Sequence, residues 1–310
     1  YLDGYNAPSP YTYYDQNCEI GVSGGNTITN FGAGGTTINV IFGRYQNNIK
    51  VANNIINGGG STTAALMTGI LLSTGNNSSA DVYSNNITFS TTSTTGCTGI
   101  NTSIGLNGTS NTVNVYDNIM QNWSVGGNFY MIRAATGGAP AQYNFNVYNN
   151  TLSGLTMSAS ASQTNFLYLQ NSPINNANVY GNNIYSCTVN NTNQFVGIML
   201  GFGSVSSGSW SIYNNNFYSI TNTGITSSLT AINCIYLNGI APALSVYGNQ
   251  IHDITMSNTS STGDIWGINQ SYIGTVSITP QVYSNTIYNI TNNGSGIIYG
   301  IYCSPGSNNT

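Results

Sequence analysis

One eleven-residue frame recurs eight times along the chain. It reads QVYSNTIYNIT from Gln281, SVYGNQIHDIT from Ser245, SIYNNNFYSIT from Ser211 and NVYGNNIYSCT from Asn178. Earlier copies start at Asn146, Asn114 and Asp81, and a worn copy, KVANNIINGGG, starts at Lys50. Successive copies stand 32 to 36 residues apart, apart from a first step of 31. A near-fixed period of this size is the signature of a solenoid or array.

Aligned copies give columns with distinct demands. The first holds Val51, Val82, Val115, Val147, Val179, Ile212, Val246 and Val282. All are β-branched, as an inward strand position requires. The next holds Tyr83, Tyr116, Tyr148, Tyr180, Tyr213, Tyr247 and Tyr283, with Ala52 in the worn copy. Neighbouring strand residues face opposite ways, so the tyrosines are expected to form an outward stripe. Two residues on, the column is asparagine in every copy: Asn54, Asn85, Asn118, Asn150, Asn182, Asn215, Asn249 and Asn285. Asparagine tolerates left-handed backbone and suits a sharp corner. Stacked in register, each amide can also donate to the next, forming a ladder.

Beyond the corner come Ile56, Ile87, Met120, Leu152, Ile184, Phe217, Ile251 and Ile287. Three residues further lie Trp123, Leu155, Cys187, Ile220, Ile254 and Ile290, with Gly59 and Ser90 as exceptions. These read as the core side of a second strand. A third apolar segment, often opening Gly-Ile as in Gly69-Ile70 and Gly197-Ile198, lies between copies behind Gly/Ser/Thr/Asn-rich filler. The expected fold is therefore all-β: a right-handed parallel β-helix of about eight to nine coils, three short strands per coil. Eight layers at about 4.8 Å would make a rod roughly 40 Å long.

Residues 1–24 are expected to be an irregular lead-in. Residues 25–310 are expected to be one β-helix that continues past the C-terminus in a longer parent chain, or whose ends stack on other subunits. Tyr1–Glu19 lacks the basic start, apolar run and cleavage site of a signal peptide.

Charge is sparse. Three Lys+Arg against seven Asp+Glu give a net charge of −4, which argues against nucleic acid as a partner. No apolar run approaches the length of a membrane span. A surface of amides and hydroxyls points to a secreted or cell-surface protein. Five cysteines without paired spacing do not make a disulfide framework, and Cys187 falls in an apolar column, as a small core residue would.

The frame V-Y-x-N-x-I-x-x-[IL]-T, alternating with Gly-Ile-Tyr segments, resembles the right-handed β-helix repeats of large secreted Bacteroidota proteins in the pectin-lyase-like superfamily. The resemblance spans about residues 25–303. It implies export by the type IX system and an adhesin-like surface role. The superfamily's polysaccharide lyases and hydrolases add glycan binding or cleavage as the alternative.

Cleavage needs clustered carboxylates or calcium. Asp3, Asp15, Glu19, Asp81, Asp117, Asp253 and Asp264 fall in different columns and layers and assemble into no site. His252 and Asp253, adjacent on a strand, are expected to face opposite ways and form no dyad. Arg133 is expected to lie over an aromatic face. The expectation is thus a non-enzymatic rod, stalk, filament subunit or adhesin, with no catalytic residue, metal or cofactor. The tyrosine stripe is its candidate surface for glycans, other surface proteins or copies of itself.

Overall fold

In a computed structural model, successive copies lie on top of one another as a parallel β-solenoid with three strands per coil. The structure describes residues 1–310 except 7, 9–12, 33–36, 60–65, 92–94, 107–109, 135–143, 158–160, 171–173, 205–207, 225–229, 241–242, 272–279 and 305–310. No helix occurs among the described residues. A nine-stranded sheet carries the tyrosines, an eleven-stranded sheet follows the asparagine corner, and a ten-stranded sheet holds the longer third segments. These are called the tyrosine, second and long sheets below.

Register is set by like side chains. In the tyrosine sheet Val82 pairs with Val115 and Tyr83 with Tyr116, and Val147 pairs with Val179 and Tyr148 with Tyr180. The valine column is fully buried from Val51 to Val246. A slip by one residue would turn that column to solvent, so register is strongly specified. The second sheet stacks Ile56, Ile87, Met120, Leu152, Ile184, Phe217 and Ile251, all fully buried. In the long sheet Gly99 stands where a side chain would strike the core. An added Cβ there would lie 2.4 Å from Met120 Sδ. The Gly-Ile pattern is therefore a space requirement of the facing second sheet.

The first 24 residues, expected to be irregular, also carry strands. Leu2 pairs with Gly43, and Glu19 and Ile20 pair with Lys50 and Val51. Thr27–Thr29 then pairs with Ile55–Asn57, which brings Asn26 level with Asn54.

The corner differs from the expectation in one detail. The left-handed residue is the one before the invariant asparagine: Asn53, Ser84, Asp117, Asn149, Gly181, Asn214, Gly248 and Ser284, with φ between 53° and 65°. Six of the eight residues at this otherwise variable position are Asn, Asp or Gly, which visit this region at low cost, and the other two are the small Ser84 and Ser284. The asparagine itself is reserved for its side-chain bonds.

A second left-handed column, Asn122, Gly154, Ser186, Ser219, Asp253 and Asn289, stands just before Trp123, Leu155, Cys187, Ile220, Ile254 and Ile290. Residues three apart on a regular strand face opposite ways. The left-handed residue between them restores the inward direction. In the Asp81 copy no such kink occurs: strand Asn86–Phe89 runs straight and buries Phe89 instead, leaving Ser90 outside.

The corner predicts a local effect. Gly181 has φ +64°, and an added Cβ would sit 2.6 Å from Asn149 Oδ1. Gly181→Ala is expected to lose about 1–2 kcal/mol. Urea unfolding should show a lower midpoint at unchanged slope; an unchanged midpoint would mean the turn can relax.

Candidate functional site

Three outward features are candidates: the tyrosine stripe, a polar groove beside it, and the outer face of the long sheet.

The invariant asparagines form a buried ladder beneath the stripe. Asn85 Nδ2 donates to Asn118 Oδ1 at 2.9 Å, Asn118 to Asn150 at 3.0 Å, and Asn150 to Asn182 at 3.0 Å. The series runs unbroken from Asn54 to Asn285. Asn26 joins it by donating to Asn54 Oδ1 at 2.8 Å, a rung that the aligned frame missed. The signal was present in the triplet Asn26-Thr27-Ile28, which matches Asn54-Ile55-Ile56. From Asn85 to Asn285 each oxygen also accepts the previous rung's backbone N–H, as Asn150 Oδ1 does from Asn118 at 3.1 Å.

Tyr83, Tyr116, Tyr148, Tyr180, Tyr213, Tyr247 and Tyr283 stack with centroids 4.8–5.0 Å apart and planes within 6°. Ring faces therefore cover one another, and edges and hydroxyls are what the stripe offers outward. Burial, with neighbours Tyr116 and Tyr180 adding, pushes the Tyr148 phenol up to about 12. Burial raises Tyr116 and Tyr213 as well.

An unfolded tyrosine ionises near pH 10, so above that pH the unfolded chain releases protons that Tyr116, Tyr148 and Tyr213 still hold when folded. This stability is complete below about pH 10 and is lost as pH rises towards about 12. Between pH 10 and 12 the urea midpoint of the unaltered chain should fall more than that of Tyr148→Phe, which has no phenol to release there; parallel falls would contradict this.

A second aromatic column, Tyr185, Tyr218, His252 and Tyr288, stacks on the second sheet with centroids 4.7–5.2 Å apart. Here the expectation for His252 and Asp253 is overturned. Asp253 has φ 54°, so both side chains reach the outside, and His252 Nδ1 lies 2.8 Å from Asp253 Oδ2. Asn289 Nδ2 donates to the other carboxylate oxygen at 3.1 Å. The bond to His252, then that to Asn289, holds the Asp253 carboxyl below its ordinary value.

The carboxylates are less scattered than expected. Glu19, Lys50 and Asp81 occupy one column on successive strands of the tyrosine sheet. Lys50 Nζ bonds Glu19 Oε1 at 3.1 Å. Asp81 Oδ1 accepts from Asn114 Nδ2 at 2.7 Å, and Asn146 and Asn178 continue an outer amide ladder. A groove of about 380 Å³ runs here, lined by Glu19, Lys50, Asp81, Asn17, Asn48 and Thr112 among others. Lys50 stands between the two acids. Among the described residues no three His, Cys, Asp or Glu side chains come together as a metal site.

Arg133 lies over the rings of Tyr130 and Tyr168, at 5.1 and 5.8 Å from their centroids. Cys97, Cys187 and Cys234 are buried, and burial pushes each thiol up to about 12. Cys303 is exposed and Cys18 half-buried, and none of the five is paired.

No protein-family model matches this chain, no curated protein is significantly similar to it, and no solved structure matches its fold significantly.

Proposed function

We propose that this chain is a non-enzymatic structural segment of an extracellular bacterial surface protein, working as a rigid rod, stalk or filament subunit. The observation that carries this reading is the buried ladder of asparagines flanked by stacked tyrosines. Cohesion of this kind repeats in every layer and needs neither metal nor ion pairs, so it suits a spacer that must stay straight outside the cell. The frame's resemblance to secreted Bacteroidota β-helices supports the location and type IX export. An adhesin role would use the stripe's hydroxyls and the amides beside it.

Association with other copies end to end belongs to the same reading. Electron microscopy and light scattering of the chain test this. Long unbranched rods are expected, whereas monodisperse globular particles at high concentration would count against it.

Glycan binding or cleavage is the second reading, favoured by the groove that holds Glu19 and Asp81. Measurable turnover of any polysaccharide would overturn the non-enzymatic reading.

A further inference from the structure

The chain has three Lys and Arg and seven Asp and Glu side chains, ten in all, and three of the ten share one column. Glu19, Lys50 and Asp81 occupy successive layers on the outer face of the tyrosine sheet. From the next layer on, the same column holds Asn114, Asn146, Asn178, Ser211, Ser245 and Gln281. Amides and hydroxyls meet the stacking demand there, so the fold does not require charge at this end.

The charged end is also where the face is hollow. The groove of about 380 Å³ is lined by these three side chains with Asn17, Asn48 and Thr112 among others. Its mouth is open to solvent. Asn17, Glu19 and Asn48 are exposed, the Lys50 side chain is 44% exposed, and Asp81 and Thr112 are half-buried. The volume lies within the roughly 300–1,000 Å³ of small-molecule sites. The layers of Glu19, Lys50, Asp81 and Thr112 span three strand spacings, about 14 Å, which gives room for roughly three sugar rings.

Bonds within the groove leave much of its chemistry unused. Lys50 Nζ donates to Glu19 Oε1 at 3.1 Å, and Asn114 Nδ2 donates to Asp81 Oδ1 at 2.7 Å. The second oxygen of each carboxylate and two of the three ammonium protons remain for a ligand. Glu19 neutralises Lys50 by direct contact, whereas Asp81 has no ion-pair partner among the described residues.

We propose that this groove binds an uncharged oligosaccharide. Along the rod axis it presents acceptor, donor and acceptor, one per layer. A sugar hydroxyl both donates and accepts, so a neutral glycan can meet either group at each step. A glycan charged on every ring brings like charge onto one of the three whatever its sign: an acidic one onto Glu19 and Asp81, a basic one onto Lys50. Such juxtaposition is how charged sites reject wrong partners. Lys50 also stands between the two acids, where hydrolysis needs room for the glycosidic oxygen, so the glycan is held and not cut. This rests on the glycan reading of the groove, gives it a ligand class, and is compatible with a non-enzymatic rod.

The test is an array of tri- to hexasaccharides in neutral, carboxylated, sulfated and free-amino sets, read on the full chain, followed by calorimetric titration of the best binder. Binding confined to the neutral set is expected, with no release of shorter sugars. Asp81→Asn installs the residue that this column carries in the next three layers, so Tm should hold. Affinity should fall about tenfold, because a charge-assisted bond is exchanged for a neutral one. Lys50→Gln should weaken binding similarly. Asn178→Ser lies outside the groove, and serine already follows it in the column at Ser211; it should leave affinity unchanged. Binding confined to a charged set would overturn the proposal while glycan binding stands. So would cleavage of the bound glycan, or a loss of affinity in Asn178→Ser with none in the Asp81 and Lys50 variants. No binding by any set would overturn both.

Discussion

Replacing Asn150 with alanine is expected to cost about 3–5 kcal/mol. Asn150 is fully buried, and its Nδ2 lies 3.0, 2.9 and 3.1 Å from Asn182 Oδ1, the Val115 carbonyl and the Tyr148 carbonyl. Its Oδ1 accepts from the Asn118 side chain and backbone at 3.0 and 3.1 Å. Alanine strands these partners where water does not reach. Each such group costs about 1–3 kcal/mol, and the total is less than the sum because two amide protons serve three acceptors. The removed volume adds a cavity term.

Asn150→Asp sharpens the test. A carboxylate would face the Val115 and Tyr148 carbonyls and Asn182 Oδ1. Its folded pKa would therefore rise above the unfolded value near 4, so stability is highest below about pH 4 and falls as pH rises. Urea titrations at pH 3.5 and 7 measure both effects. A loss under about 1 kcal/mol in the alanine variant would mean that the ladder is not what binds the layers.

Trp123→Ala is expected to cost about 4–5 kcal/mol. Trp123 is fully buried, its ring centroid lies 4.6 Å from Phe89 and 5.0 Å from Phe129, and Nε1 donates to the Ile87 carbonyl at 2.6 Å. Trp123→Phe keeps most of the packing but orphans that carbonyl, so about 1–2 kcal/mol is expected. Coils in a solenoid couple to their neighbours, so hydrogen exchange should accelerate first in the strands around Ile87 and Phe129. Uniform acceleration along the whole chain would show instead that the coils unfold as a single unit.

The ladder and the stripe were legible because each layer repeats the same demand at the same position. Asn118 needs an amide above and below it, and Tyr116 needs a ring above and below. Those requirements act between equivalent residues, so they appear as columns in the aligned sequence. Asn26 escaped only because its copy has three extra residues between strand and corner, Gly21–Gly25 standing where Ala52 and Asn53 stand one layer on.

What the sequence determined by itself was the layer: which side chains stack, which faces turn inward and where the chain bends. A column reports interactions between copies of one position, and nothing else in the fold is written that way. Only the tertiary structure decided relations between unlike positions. It placed the left-handed residue before the asparagine, turned Asp253 to the same side as His252, aligned Glu19, Lys50 and Asp81, and buried the Asn165 side-chain amide and Asn233 Nδ2 without hydrogen-bond partners. These outcomes depend on backbone kinks and on contacts between different columns. A repeat pattern carries no record of either, because aligning the copies averages away the position-specific differences that create them.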